Sequence, residues 1–466
     1  MSDKHLANNK QGAICPGPVS RRSFLQAGSL LLGGLSLGDL FRLRAAAAKQ
    51  TRRPEPDTSV ILIWLQGGPS HMETYDIKPE APVEYRGEFQ PISTAVPGMD
   101  ICEYLPLHAK VADRFTLIRS ISHGFANHAA GAGRFLSGRK PRRLLDPISQ
   151  YPTIGPIVAK IRENRHIGLP NYIGNQPRVY GGGTSYLGES CLPFVVGSDP
   201  NAANFRVPNI SLSPRLANRL DDRLRLLKSV DDFRRDADAT GSMQAIDSFN
   251  QRALNLLTSN KAREAFDLSK EPPKLRDRYG RHTWGQRALL ARRLVEAGCS
   301  FVTMQMQNPR TPGATGNWDA HAVNCNIFDD MRGRLPIFDQ AVSALIDDVY
   351  ARGLDKRVMV IVSGEFGRTP RINPQNGTRS HVRQPGRDHW PGAMSVLVSG
   401  GELKTGQVIG STTAKGEHAK DRKLSPNDLL ATVYRFLGIN SGHAFIDHTG
   451  RPMPILPYGE PIRELI

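Results

Sequence analysis

"TSVILIWLQGGPSHMETYD", Thr58–Asp76, decides the fold. Thr58–Leu65 is almost continuously apolar, and Gly67-Gly68-Pro69 stops it. A strand with one wet face alternates apolar and polar residues, whereas a strand buried on both faces reads as an unbroken apolar run. Four further runs read alike: "RFTLIRSI" (Arg114–Ile121), "CSFVTMQM" (Cys299–Met306), "RVMVIVSG" (Arg357–Gly364) and "AMSVLVSG" (Ala393–Gly400). Between them lie helical patterns. "HTWGQRALLARRLVEAG" (His282–Gly298) and "IFDQAVSALIDDVYARG" (Ile337–Gly353) each stop at a glycine, the usual helix terminator. "SPNDLLATVYRFLG" opens with Ser425 as N-cap and Pro426 at the first helical position,. Alternating strands and helices predict an α/β fold, a mostly parallel sheet covered by helices.

The N-terminus reads as an address. "SRRSFLQ" (Ser20–Gln26) sets paired arginines before an apolar run, and "AAAA" (Ala45–Ala48) supplies small residues for cleavage. This order predicts a twin-arginine signal peptide over 1–48 and a mature domain over 49–466, periplasmic or extracellular. The apolar run is shorter than the ~20 residues a spanning helix needs, and no transmembrane span is expected elsewhere. The chain carries a formal charge of +17, and about +13 remains without the signal, which favours anionic partners such as sulfated or phosphorylated polymers or the cell envelope. Scattered solvated charge explains it equally well. No recognition motif points to nucleic acid, and nothing in the sequence sets an oligomeric state. Without a C-x-x-C pair, a thiolate zinc site is not expected,. A charged stretch predicts a helical insertion over about 210–270, and the Pro/Gly-rich 170–210 reads as a long loop over the site.

In open α/β sheets ligands bind beyond the carboxyl ends of the strands. Five polar clusters fall there. The first strand is followed by Ser70, His71, Glu73 and Asp76, and the second by His123, Asn127 and His128. "NWDAH" (Asn317–His321) offers Asp319 and His321, "GEFGRTPRIN" (Gly364–Asn373) offers Glu365 and Arg368, and "GRDHWP" (Gly386–Pro391) offers Asp388 and His389. Carboxylates and imidazoles do not gather on an apolar sheet edge uncompensated, because buried charge is costly. A divalent metal resolves this, with Zn, Mn, Fe or Ca as candidates. The candidate ligands are His71, Asp319, His321, Glu365, Asp388 and His389. Arg368 would complement an anionic substrate bidentately, and Ser70, Asn127 and Arg134 are candidate substrate contacts. The alternative for the first cluster is that His71 caps a helix starting near Met72, with Glu73 and Asp76 as its first-turn acids. His108 has no evident partner.

Taken together, "WLQGGPSHMETYD", "NHAAGAGRFLSGR", "GNWDAH", "SGEFGRTPRIN", "GRDHWPGAMSVLVSGG" and "GRPMPIL" resemble an exported, sulfatase-like bacterial family (DUF1501) grouped with the alkaline-phosphatase superfamily. The resemblance runs from about residue 55 to the C-terminus. It implies a three-layer α/β/α core with a one- or two-metal site that cleaves phosphate or sulfate esters. The superfamily's first-strand metal aspartate falls on the neutral Gln66, and its nucleophile position falls on His128. Its Asp-x-x-x-His pair is approximated by Asp319 and His321, its later Asp-His pair by Glu365-Phe366, and its last histidine loop by His389 with Asp388. No C-x-P-x-R occurs, so formylglycine chemistry has no residue to run on. One cation held by Asp319, His321 and His389 is expected; a second would rest on Glu365 with His71 or Gln66. His128 would serve as nucleophile, ligand or general acid, and a cation that makes water more acidic needs no protein nucleophile. The resemblance thus implies an exported metal-dependent hydrolase of sulfate or phosphate esters on an anionic glycan or envelope polymer. Gln66 and Phe366 favour the rival, a catalytically degenerate relative that binds a sulfated glycan or envelope partner.

Overall fold

The opening apolar run forms β1 (Ser59–Trp64), buried along its whole length near the middle of an eight-stranded sheet. The computed structural model describes residues 57–165, 167–207, 210, 256 and 259–466. The expected signal segment and most of the expected insertion lie outside the described residues; the insertion's last part includes the helix Asn260–Phe266.

The other strands are β2 (Phe115–Ile121), β3 (Tyr172–Gly174), β4 (Phe194–Val195), β5 (Phe301–Gln305), β6 (Val358–Ser363), β7 (Met394–Gly400) and β8 (Gln407–Ile409). They lie in the order β8-β2-β7-β6-β1-β5-β3-β4. β1 pairs in parallel with β5 and β6, while β7 runs antiparallel to both β2 and β6. The five apolar runs supply β1, β2, β5, β6 and β7. The short strands β3 and β4, the latter at one edge of the sheet, come from 170–210, which the sequence had read as loop. The reversal of β7 matters for the site. "GRDHWP" precedes its strand, so it reaches the carboxyl-end rim of the parallel strands only because β7 runs the other way.

Helices α1 (His128–Ser137), α2 (Ile154–Ile161), α3 (Thr283–Glu296), α4 (Ile327–Ala351) and α5 (Pro426–Phe436) flank the sheet. Val60, Leu62 and Trp64 share one core with residues of α1, α2 and α5; Ile61, Ile63 and Leu65 share another with α3 and α4. The architecture is three-layer α/β/α. α4 starts at Ile327, ten residues ahead of its expected start, and carries Pro336 inside it. An interior proline costs about 3 kcal/mol, and burial of Ile327, Phe328, Met331 and Leu335 on the sheet offsets it,. Asn326 caps the helix by accepting the Phe328 N–H at 3.0 Å,.

Behind β1 the chain turns at Gly67, whose φ of +114° is a conformation that favours glycine,. A Cβ there would stand 2.5 Å from the Asp319 backbone nitrogen. That space is taken by the loop after β5, whose Trp318 N–H donates to the Gln66 carbonyl at 2.8 Å. Gly98 has a similarly positive φ of +80°, with nothing within 4 Å of its would-be Cβ. Gly67→Ala should therefore destabilise the fold by ~3 kcal/mol in denaturant unfolding, and Gly98→Ala by only ~1 kcal/mol. Equal losses would show that backbone strain alone, without the loop contact, sets the cost.

Candidate metal centre

Four side chains converge at the carboxyl-end rim. His128 opens α1, Asp319 and His321 lie in the loop after β5, and His389 stands on a two-residue strand. That strand pairs antiparallel with Gly367–Arg368 after β6, setting His389 beside Arg368. The Asp319 Oδ1 atom lies 3.0 Å from both His321 Nε2 and His389 Nε2. His128 Nε2 lies 3.4 Å from Asp319 Oδ2. The four side chains are each about a fifth to a quarter exposed: 24 %, 19 %, 21 % and 21 % in chain order.

The outward nitrogens decide the chemistry. His389 Nδ1 meets the Ala126 carbonyl at 2.6 Å; a carbonyl only accepts, so Nδ1 donates. His321 Nδ1 donates to Asp388 at 2.7 Å, and Asn373 in turn donates to the other Asp388 oxygen at 2.8 Å. His128 Nδ1 donates to Glu365 at 2.7 Å. Each neutral ring is thereby left with a bare Nε2 lone pair facing inward. The Nε2 atoms of His321 and His389 stand 2.9 Å apart. Two lone pairs and a carboxylate at that spacing repel unless a proton or a cation lies between them.

The titration behaviour agrees. Burial opposes protonation of His128, but hydrogen bonds to Asp319 and Glu365 outweigh it and raise its pKa to about 9. Burial would also raise the Asp319 carboxyl; bonds from His128, His321 and His389 and the Arg368 charge instead hold it far below the usual carboxylate range. Burial lowers His389, with the Arg368 and His128 charges adding to the effect. Without a metal ion, then, the Asp319 charge is met partly by a proton on His128. His128, Asp319 and His389 could hold a metal ion. Donor set and outer partners fit one: histidine ligands fixed by outward bonds to carboxylate or carbonyl are the usual surroundings of a bound ion.

Several sequence expectations need correction. Arg368 does not face a substrate: it is fully buried, and its guanidinium donates to Gly67, Gly68, Trp318 and Arg387 carbonyls and to Asp319. His71 is not with the cluster. It is 1 % exposed and its Nε2 donates to the Gly416 carbonyl at 2.9 Å; burial lowers its pKa and keeps it neutral. No helix starts near Met72 either. Glu73 instead forms a buried pair with Arg387 and accepts from Ser70, so Ser70 is spent inside the protein. Arg134 is buried, with its guanidinium donating to Asn427 and Tyr458. Asn127 caps α1, accepting from the Ala129 and Ala130 N–H groups. Glu365 and Asp388 stand behind the rings they orient, one step out from a ligand position.

Glu365 Oε1 also accepts from Gln66 Nε2 at 2.9 Å and the Gly67 N–H at 2.8 Å, while its Oε2 is buried without a partner. His108, whose partner the sequence left open, is buried with Asp339 on Nδ1 and Tyr75 on Nε2. Asn373, on Asp388, was missed. Its place in "GRTPRIN" next to a candidate cluster was the available signal.

No curated protein matches the sequence. Among solved structures, the chain is similar to the PsFucS1 sulfatase from Pseudoalteromonas sp., at 13% identity over 86% of this chain and 70% of that one, TM-score 0.32. It is similar to an alkaline phosphatase from the Antarctic bacterium TAB5, at 12% identity over 83% and 99%, TM-score 0.34. A third is the lipoteichoic acid synthase LtaP from Listeria monocytogenes, at 10% identity over 83% and 74%, TM-score 0.32. At these values the side chains, not the likeness, bear on chemistry. Residues 57–466 match the family described as "Protein of unknown function (DUF1501)", and the chain belongs to that family.

Proposed function

We propose that the protein is an exported hydrolase of sulfate or phosphate esters that holds one divalent cation between His128, His321, His389 and Asp319. One observation carries the cation: inward Nε2 atoms, fixed by outward Nδ1 bonds, aimed at a shared carboxylate. Nitrogen-rich donors with one carboxylate suit Zn²⁺ or Mn²⁺ and disfavour Ca²⁺, which takes oxygen ligands. A cation here supplies polarisation of an ester oxygen and a lower pKa for water.

The chain's own residues do the rest. Arg368 keeps Asp319 ionised and aimed outward. Asp388 and Glu365 hold the His321 and His128 rings in their tautomers. Phe366, its ring centroid 4.6 Å from that of His389, walls the site with an apolar face. With His128 placed as a ligand, water is the nucleophile in this reading; no serine, threonine or cysteine side chain hydrogen-bonds to the cluster's side chains among the described residues. Sulfate and phosphate esters are chosen from the motif resemblance and from the basic charge, which suits an anionic substrate,. The same lack of a side-chain nucleophile favours the second reading, a relative that binds a sulfated glycan or envelope partner without cutting it.

Purified protein should contain about one Zn or Mn per chain by elemental analysis and should hydrolyse aryl phosphate or aryl sulfate. Asp319→Asn and His389→Ala should each lower kcat/KM at least ~100-fold. Metal without turnover, together with sulfated-glycan retention that survives a chelator, would select the binding reading. The absence of both metal and turnover overturns the hydrolase.

The apo-protein should also show a defined pH dependence. Below a pKa of about 9 His128 carries a proton, which an incoming cation must displace. Metal affinity should rise about tenfold per pH unit from pH 6 to 8 and level off above 9. Calorimetry in buffers of different ionisation enthalpy should count about one proton released per metal at pH 7. A flat profile there would remove His128 from the ligand set.

A further inference from the structure

Next to the cluster opens a cleft of about 730 Å³ that reaches Asp319 and is lined by Gln307, Asn308, Thr315, Asn317, Asn324 and Arg379. The lining is mostly polar, with Ala314 and Val323 as its apolar side chains. Four side-chain amides and hydroxyl groups offer donors and acceptors together; no aromatic ring lines it, and Asp319 is its one acid. Two amides are already positioned on Asp319. Asn317 Oδ1 accepts the Asp319 N–H at 3.2 Å, and Asn324 Nδ2 donates to the Asp319 carbonyl at 3.0 Å. Their remaining amide groups, with the side chains of Gln307 and Asn308, have no protein partner among the described residues.

Charge in the two segments that build the cleft is one-sided. The loop 307–324 carries Arg310 and only Asp319 as an acid. The hairpin formed by Gln375–Asn376 and Arg383–Gln384 carries Arg379, His381 and Arg383 and no acid. Arg310 faces Asp199 at 3.7 Å. Arg379 is exposed and makes no ion pair among the described residues. A planar guanidinium without a carboxylate, at the edge of a hydroxyl-matching cleft, suits a bidentate oxyanion on the ligand.

We propose that this cleft binds the part of the substrate that is not cut, a saccharide-like hydroxyl-rich chain whose second sulfate or phosphate group pairs with Arg379. This rests on the reading that the ester is cleaved at the Asp319 cluster. Binding energy gathered there, remote from the reacting bond, is what distinguishes a polymer from a small aryl ester.

The test uses dextran sulfate and neutral dextran of matched length, titrated calorimetrically into wild-type and Arg379→Ala protein, each with and without chelator. Arg143→Ala, an exposed arginine outside the cleft, controls for unspecific attraction. Dextran sulfate should bind at least about tenfold more tightly than dextran, and Arg379→Ala should lose about tenfold for dextran sulfate alone. Arg143→Ala should match wild type in its affinity for dextran sulfate and in aryl-ester kcat/KM. Equal dextran sulfate affinity in wild type and Arg379→Ala overturns the proposal even if aryl esters turn over. So does an equal loss in Arg143→Ala. Arg379-dependent binding in protein that shows no turnover keeps the cleft and removes the hydrolase.

Discussion

A single buried guanidinium holds the rim together. Arg368, after β6, donates to carbonyls of the loop behind β1, the loop behind β5 and the segment leading into β7. A charge taken out of water costs several kcal/mol unless its donors are met, so these loops can neither drift apart nor be hydrated separately without that penalty returning. Its remaining contact is Asp319, and the same cation that closes the rim therefore keeps the central carboxylate ionised. Arg387 repeats the device nearby, joining Glu73 to the Thr369 and Tyr85 carbonyls.

Gln66, Glu365 and Phe366 form one consistent set. Glu365 Oε1 takes donors from Gln66, Gly67 and His128. An aspartate at position 66 could not donate and would set two carboxylates against each other, whereas the amide satisfies Glu365 and also accepts the Trp64 indole N–H. Phe366 fills the neighbouring place with an apolar ring. It fits because Gly131 of α1 has no side chain; a Cβ there would lie 2.9 Å from the ring. Gln66 thus spends its amide on Glu365 and Trp64, and Phe366 offers a cation no donor atom.

Much of the fold was legible. Unbroken apolar runs marked the five principal strands, because a strand covered on both faces has no wet side to alternate with. The short strands β3 and β4 were not, since two or three residues carry no period. The start of α4 was misplaced because Pro336 breaks the local pattern, while burial of its first turns, a long-range term, overrides the break. Site residues divide in the same way. The rim rule located Asp319, His321 and His389, but it also gathered His71, Ser70, Arg134 and Arg368, which the fold turns inward to serve the protein itself.

Composition and order alone determined the layered α/β class, the mainly parallel sheet and the five polar clusters near one edge of it. Tertiary structure decided which members of those clusters meet and in what state. The reversed direction of β7 brings His389 to the others, and the role of each imidazole nitrogen follows from what its opposite nitrogen touches. Those partners lie 67, 237 and 263 residues away along the chain. Hydrogen-bond direction at such separations is a property of packing, and no local pattern of residues encodes it.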